Sequence, residues 1–195
     1  EFFGGGLLRR EMRFYHEYPR IDFETELNDI PDRTVVVAEF PLAEAITEVR
    51  RGIPYGFSHG AWRVAQASSP AGASSVLTAN AKTSGRGRPE NSQARTPALS
   101  GWTKGIVPAV RWSHYSLAGG GGVAILDRGL SGRELNDQTP ILYLLNATDK
   151  YYGYPNSWLS GQGKHRLSYA LVVHETAWAK ARIPQRAWEF NCPPE

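Results

Sequence analysis

An alternating octapeptide, Arg20-Ile-Asp-Phe-Glu-Thr-Glu-Leu27, carries the clearest secondary-structure signal in this 195-residue chain. One set of alternate positions holds Ile, Phe, Thr and Leu, and the other set holds acidic side chains. Successive side chains of a β-strand point to opposite faces, so this pattern predicts a strand that is buried on one side only. Such strands are typical of antiparallel sheets. We therefore expect Asp22, Glu24 and Glu26 to lie on a solvated face.

Further strands are predicted on both sides of this octapeptide. Residues 12–18 have strand character and are separated from it by Pro19. Residues 34–40 are rich in β-branched side chains and follow a short polar turn, so we expect them to pair with residues 20–27 as a hairpin. Another strand is predicted over residues 45–50, followed by a tight turn over 51–56.

The second half of the chain contains three apolar runs that predict buried strands. These runs are residues 122–127, 140–146 and 165–174. Gly119 to Gly122 form a glycine run that lacks the helix and lysine of a phosphate-binding loop, so we expect a bend leading into the first strand. Residues 128–139 are polar and are expected to form a long connection.

These patterns predict an all-β fold, an antiparallel β-sandwich of the galactose-mutarotase-like supersandwich type, in which residues 1–195 form a single domain. Thr176 is expected to cap a short helical turn over residues 177–181 that stops before Pro184. Residues 67–100 are small and polar, and we expect a long, irregular low-complexity insertion because few large apolar groups offset the entropy of ordering. A basic arm for an anionic partner is the alternative reading, although no aromatic residues interleave for base stacking.

Composition excludes several function classes. Twenty glycines, thirteen prolines and six tryptophans favour turns and strands. The net charge is only +3 with interleaved signs, so no nucleic-acid partner is expected, and no apolar run reaches the ~20 residues of a membrane span. Cys192 is the only cysteine, so the sequence leaves the compartment open, with a soluble cytoplasmic protein favoured. The chain opens with Glu1 rather than Met, so we expect natural sequence upstream.

Recognisable catalytic or metal motifs are absent from the sequence. No pair of the five histidines has the spacing H-x-x-x-H or H-E-x-x-H, and Cys192 has no companion cysteine. A site assembled from distant strands stays open, but we expect no cofactor or metal in this chain. The G-x-S-x-G and P-loop patterns are also absent.

One candidate binding loop follows residues 122–127. Asp127 ends the apolar run and opens a polar segment that contains Arg128 and Arg133. Loops at strand ends are common places for ligand contacts, because a rigid sheet positions them. The alternative is a hydrated turn held by salt bridges.

A second candidate loop is Lys150-Tyr-Tyr-Gly-Tyr-Pro-Asn-Ser-Trp158. Rings such as Tyr151, Tyr154 and Trp158 can stack on the apolar face of a pyranose. They can equally pack the loop onto a neighbouring domain. The sequence leaves both readings open.

Seven short segments, taken in order, resemble the C-terminal β-domain of family 38 glycoside hydrolases, the retaining, zinc-dependent α-mannosidases. The octapeptide is similar to "RIDFxTxxxW", with Asn28 and Asp29 where a Trp is common. His114 likewise replaces an Asp of "PAxRWxDxS". The segments are residues 20–27, 40–42, 55–56, 108–116 ("PAxRWxDxS"), 122–127 ("GVALLND"), 169–174 ("YALxPH") and 189–191 ("EFNxP").

The resemblance implies a non-catalytic role, because in that family the zinc ligands and the Asp nucleophile lie in an N-terminal domain. It implies that the chain braces that domain of the same polypeptide and rims a pocket for a mannose-containing glycan. The loop after the "GVALLND"-like strand faces the catalytic domain in relatives. The substrate-binding candidates are therefore Asp127, Arg128 and Arg133, with Tyr151, Tyr154 and Trp158 as a second group. A freestanding carbohydrate-binding β-sandwich and a purely structural module are the alternatives.

Overall fold

A computed structural model describes residues 2–3, 6–61, 106–147 and 161–193. The described residues form twelve β-strands and one α-helix. These are β1 (Phe2–Phe3), β2 (Gly6–Phe14), β3 (Arg20–Asn28), β4 (Thr34–Glu39), β5 (Ile46–Ile53), β6 (Gly56–Ala61), β7 (Val107–Pro108), β8 (Trp112–Leu117), β9 (Gly122–Asp127), β10 (Gly132–Asn136), β11 (Thr139–Ala147), β12 (Lys164–His174) and α1 (Ile183–Asn191). The predicted insertion at 67–100 lies outside the described residues.

The strands form two antiparallel sheets of unequal size. The large sheet has eight strands in the order β1-β2-β3-β12-β9-β8-β5-β6, and the small sheet has four in the order β4-β11-β10-β7. Every described pairing is antiparallel. The main apolar cluster joins residues of the large sheet, such as Phe23 and Tyr169, to residues of the small sheet, such as Val36 and Leu142. The predicted all-β antiparallel sandwich is therefore confirmed.

A second apolar cluster covers the outer face of the large sheet. Trp112, Leu126 and Val172 point away from the small sheet and pack with Ile183 and Phe190 of α1. β9 and the middle of β12 are therefore covered on both faces, which explains why all six residues of β9 are buried.

The helix begins where the sequence predicted a helical turn to stop. Pro184 lies in the first turn of α1, preceded by Arg182 at a φ of 54°. Proline is compatible with a first turn because the N–H it lacks has no acceptor there in any helix. The predicted helical turn over residues 177–181 is present, with the N–H of Ala181 bonded to the carbonyl of Ala177 at 3.1 Å, and it stops before Pro184. The sequence did not predict that a longer helix begins at this point. Within the described residues, no helix is long and apolar enough to cross a membrane.

The predicted hairpin between residues 20–27 and 34–40 is also wrong. β3 pairs with β2 and β12 in the large sheet, whereas β4 pairs with β11 in the small one. The connection turns the chain from one sheet to the other through left-handed residues Asp29 and Arg33, at φ angles of 50° and 63°. Ile30 is buried between them and donates its N–H to the carbonyl of Gly161 at 2.8 Å.

Residues 128–139, predicted to be a polar connection, contain strand β10. Its inward positions are Arg133 and Leu135, and both are buried. A charged residue at an inward position conceals the alternation of the strand, which is why the sequence pattern was misleading. The strand predicted at residues 12–18 lies earlier, because β2 spans Gly6–Phe14.

One acidic residue of the octapeptide is not solvated as predicted. Asp22 is buried, with its carboxylate 2.7 Å from Arg20 Nε, and it accepts a hydrogen bond from the Tyr15 hydroxyl at 2.7 Å. Glu24 is exposed and Glu26 is half-buried. The alternation of β3 is correct, but residues 15–20 cover the outer face at Asp22.

Candidate functional site

The loop after β9 begins and ends with an interior ion pair. Asp127, the last residue of β9, is 1% exposed, and Arg133, the second residue of β10, is 2% exposed. The Arg133 Nη2 group donates to Asp127 Oδ2. Asp127 Oδ1 accepts the backbone N–H of Leu130 at 2.8 Å, and Arg133 Nη1 donates to the Leu130 carbonyl at 2.6 Å. The loop therefore closes on itself around one charge pair.

This pair is shielded from solvent. Burial raises the pKa of the Asp127 carboxyl, while the Arg133 guanidinium and the backbone amides of Gly129 and Leu130 oppose that rise. Burial also raises the pKa of the neighbouring Tyr115 phenol. Arg133 Nε further donates to the Ser113 hydroxyl at 3.2 Å, which ties the loop to β8. Both charged groups bond within the sandwich, so their role in this geometry is to fix the loop.

Arg128 and Asn191 hold the same loop from the outer side. Arg128 Nε and Nη2 donate to the Phe190 carbonyl at 3.0 and 2.7 Å, and the guanidinium carbon lies 4.8 Å from the centre of the Phe190 ring. Asn191 Nδ2 donates to the Asp127 carbonyl at 3.0 Å and to the Ala187 carbonyl at 2.8 Å. These contacts join the C-terminal end of α1 to the loop.

Residues 127–133 therefore form a loop clamped from both sides, with Arg128 exposed at its outer end. The structure brings Asp127, Arg128 and Arg133 together, as expected from their sequence positions, but only Arg128 lies at the surface. Tyr151, Tyr154 and Trp158 lie outside the described residues. Contact of any of the six with sugar stays a prediction.

Sequence reasoning missed a histidine pair on the outer face of the large sheet. His114 of β8 and His174 of β12 stack with ring centres 5.1 Å apart and an interplanar angle of 17°. Their Nε2 atoms are 3.0 Å apart, and His174 Nδ1 lies 2.8 Å from the Thr176 carbonyl. The carbonyl can only accept, so Nδ1 of His174 carries its proton and Nε2 of His174 accepts from Nε2–H of His114.

Both imidazoles in this arrangement are neutral. Burial, the facing His174 and the charge of Arg50 lower the pKa of His114 to about 3. Burial and the charge of Arg186 lower the pKa of His174, against the opposing hydrogen bond to Thr176. Gly122 is required beside the pair, because a Cβ there would lie 2.6 Å from His114 Nε2. His174 ends an apolar run, whereas His114 lies between Ser113 and Tyr115. Only the cross-strand register, which a single sequence does not give, brings the two histidines together.

The pair adjoins a polar cluster on β5. Arg50 donates to Glu48 and, at 3.1 Å, to the Ser116 hydroxyl, and its guanidinium carbon lies 4.8 Å from the centre of the Trp178 ring. Within the described ranges, no three His, Cys, Asp or Glu side chains form a group that could hold a metal ion. The two imidazoles are fewer than the three or four protein ligands of a zinc site, and the positive charge of Arg50 would repel the cation.

Comparison with known proteins places this fold. No known family model matches the sequence, and no curated protein matches it. The chain is similar in structure to an alpha-mannosidase from Enterococcus faecalis V583, with a TM-score of 0.66 and 16% identity. It is also similar to a protein of Glycosyl Hydrolase Family 38 from Enterococcus faecalis, with a TM-score of 0.65 and 15% identity.

Both similarities cover 95% of this chain but only 18% of the matched chain. The class defined by the fold is thus an antiparallel β-sandwich that recurs as a small part of much larger proteins. One of these larger proteins is an alpha-mannosidase and the other is a protein of Glycosyl Hydrolase Family 38, so the fold expected from the resemblance is confirmed.

Proposed function

We propose that the chain is a non-catalytic β-sandwich of a retaining, zinc-dependent α-mannosidase, bracing the catalytic domain and forming part of the rim of its sugar pocket. The observation that carries this proposal is the structural similarity over 95% of the chain to 18% of two larger chains, one an alpha-mannosidase and one a family 38 protein. The order of the sequence motifs supports it independently.

The clamped loop at residues 127–133 supports a rim role. A rim must hold its position while substrate enters and leaves, and rigid supports position functional loops better than mobile ones do. The interior ion pair and the bonds to α1 fix both ends of this loop. Arg128, at the outer end, holds the Phe190 carbonyl with Nε and Nη2, and we propose that its Nη1 group donates to a sugar hydroxyl.

The parent reaction would be hydrolysis of terminal α-mannosides through a covalent glycosyl-enzyme intermediate. Zinc would be held by the catalytic domain, as in the family that the sequence motifs resemble. In this proposal the chain supplies support and rim contacts, and its own residues take no part in bond cleavage.

The first test is the gene sequence in frame upstream of the codon for Glu1, over several hundred codons. We expect a long α/β region that starts with an H-x-D motif, and full-length protein that releases nitrophenol from an aryl α-mannoside. A start codon or secretion signal directly upstream would contradict the proposal.

A second measurement separates the proposal from a freestanding carbohydrate-binding module. Titration calorimetry of the 195-residue chain with α-mannosyl oligosaccharides should give no measurable binding if the pocket needs the catalytic domain. Binding that is lost in Tyr154→Ala or Trp158→Ala would favour the freestanding module instead.

A further inference from the structure

The large sheet extends beyond the small sheet that covers it. With strands about 4.8 Å apart, eight strands span about 34 Å and four strands span about 14 Å. The small sheet begins at β4, and Phe40 at the end of β4 packs edge-on against Phe23 and Tyr169, with ring centres 6.0 and 6.3 Å apart. The cover therefore reaches β12, β3 and Leu8 of β2, which packs against the main apolar cluster, whereas Met12 and Phe14 lie beyond it.

Cross-strand register shows that the apolar inner face continues past this cover. One row runs from Ile125 through Leu171 and Ile21 to Phe14. Along it, exposure rises from 0% at Ile125 to 68% at Phe14.

The neighbouring row shows the same gradient. It runs from Tyr169 through Phe23 to Met12, and exposure rises from 0% to 8% to 55%. Val173, on the same face of β12, is 48% exposed. We call the surface of Met12, Phe14, Ile21, Leu171 and Val173 the overhang.

Strand β2 is mainly apolar on its inner face. The inward positions are Leu8, Arg10, Met12 and Phe14, of which three are apolar, whereas the outward positions 9, 11 and 13 are Arg, Glu and Arg. Side chains of this size grouped on one face are typical of surfaces that bind another protein.

We propose that the overhang is the docking surface for another domain of a longer polypeptide, one that presents an apolar surface of its own. This rests on the proposed function. The matched structures carry the same sandwich as only 18% of their chains, so a partner domain is part of the same polypeptide in those proteins. Among the described residues, the overhang is an apolar part of the inner face that the small sheet leaves open, and a partner seated there completes the second layer over β2 and β3.

The only methionine of the chain, Met12, is a built-in reporter of this contact. Dilute hydrogen peroxide converts an accessible methionine to its sulfoxide, which mass spectrometry detects. We expect Met12 to oxidise at least about tenfold more slowly in the full-length polypeptide than in the 195-residue chain, because docking covers it. Equal oxidation rates of Met12 in the two proteins would overturn the proposed docking surface but would not contradict the proposed function.

A matched pair of variants tests the surface directly. Val173 on the overhang and Val35 on β4 are both 48% exposed valines. The upstream region and the 195-residue chain are co-expressed as separate polypeptides, and co-purification is measured for Val173→Lys and Val35→Lys. We expect complex formation to be lost for Val173→Lys and retained for Val35→Lys, with Phe14→Lys as a second overhang variant if Val173→Lys does not fold.

Other outcomes are distinguishable. Equal recovery of all variants, with far-ultraviolet circular dichroism showing that each is folded, means that the domain docks elsewhere. An upstream region without a further domain contradicts the proposed function and this inference together. A dimer of the 195-residue chain that only Val173→Lys dissociates, measured by light scattering, would assign the overhang to a second copy and overturn the inference.

Discussion

Acidification should destabilise this sandwich through the histidine pair. In the folded chain the pKa of His114 is lowered from 6.5 to about 3, so the folded state disfavours its protonation. The unfolded chain binds the proton more readily, and stability therefore rises with pH between these two values. The stabilisation is fully present above pH 6.5 and is lost as the pH falls toward 3.

The size of the effect follows from the shift. Each pH unit below the unfolded pKa lowers the free energy of unfolding by about 1.4 kcal/mol, so moving from pH 7 to pH 5 should lower it by about 2 kcal/mol through His114. The lowered pKa of His174 acts in the same direction. Protonating the pair also leaves buried charge beside Arg50, whose positive charge lowers the pKa of His114.

Urea denaturation at pH 7 and pH 5, followed by tryptophan fluorescence, measures this free energy. The variant His114→Gln does not titrate in this range, and its amide can still donate to His174. Its loss of stability between the two pH values should be about 2 kcal/mol smaller than that of the natural sequence. His16→Gln is the control, because the His16 side chain is 97% exposed and its replacement leaves the pair intact.

Equal losses in the natural sequence and in His114→Gln would refute the reasoning. An NMR titration of the His114 ring protons with a midpoint near 6.5 would refute it independently, because that midpoint means that burial does not disfavour the charged ring.

Two further predictions concern the interior of the sandwich. Asp127→Asn leaves the guanidinium of Arg133 buried without its counter-charge, so we expect the free energy of unfolding, measured by urea denaturation, to fall by about 3–5 kcal/mol. Adding Arg133→Met should recover most of this loss. If the losses of the two single variants simply add in the double variant, the two groups do not act as a pair. Gly122→Ala places a Cβ 2.6 Å from His114 Nε2 and should lower the free energy of unfolding by about 1–3 kcal/mol. Gly56→Ala is the control, because an added Cβ there meets nothing within 4 Å and the melting temperature should be nearly unchanged. Equal melting temperatures of the two variants would contradict the close approach at Gly122.

The fold class was predictable because the relevant patterns are local. β3, β9 and β12 show their apolar runs or alternation directly in the sequence, and the structure has strands at all three. Strand partners were less predictable, because a short turn between two strands does not reveal that left-handed residues at Asp29 and Arg33 send the chain to another sheet.

The site was predictable only in part, because the missing information is cross-strand register. Asp127, Arg128 and Arg133 were grouped correctly by their closeness in sequence. The burial of Arg133 was not predicted, because an arginine is rarely buried unless it is paired with a group of opposite charge. The pairing of His114 with His174, sixty residues apart, depends on β8 and β12 both flanking β9.

The clamped loop also has a practical consequence for engineering. Its tip does not tolerate an insertion, because Leu130, between Gly129 and Ser131, is buried and its N–H and carbonyl bond Asp127 and Arg133. Gly129 has a φ of 86°, a left-handed conformation that favours glycine, so a larger residue there would strain the backbone. The exposed side chain of Ser131 is therefore the position at which a fluorescent label can be attached, because a Ser131→Cys variant keeps the backbone bonds that close the loop.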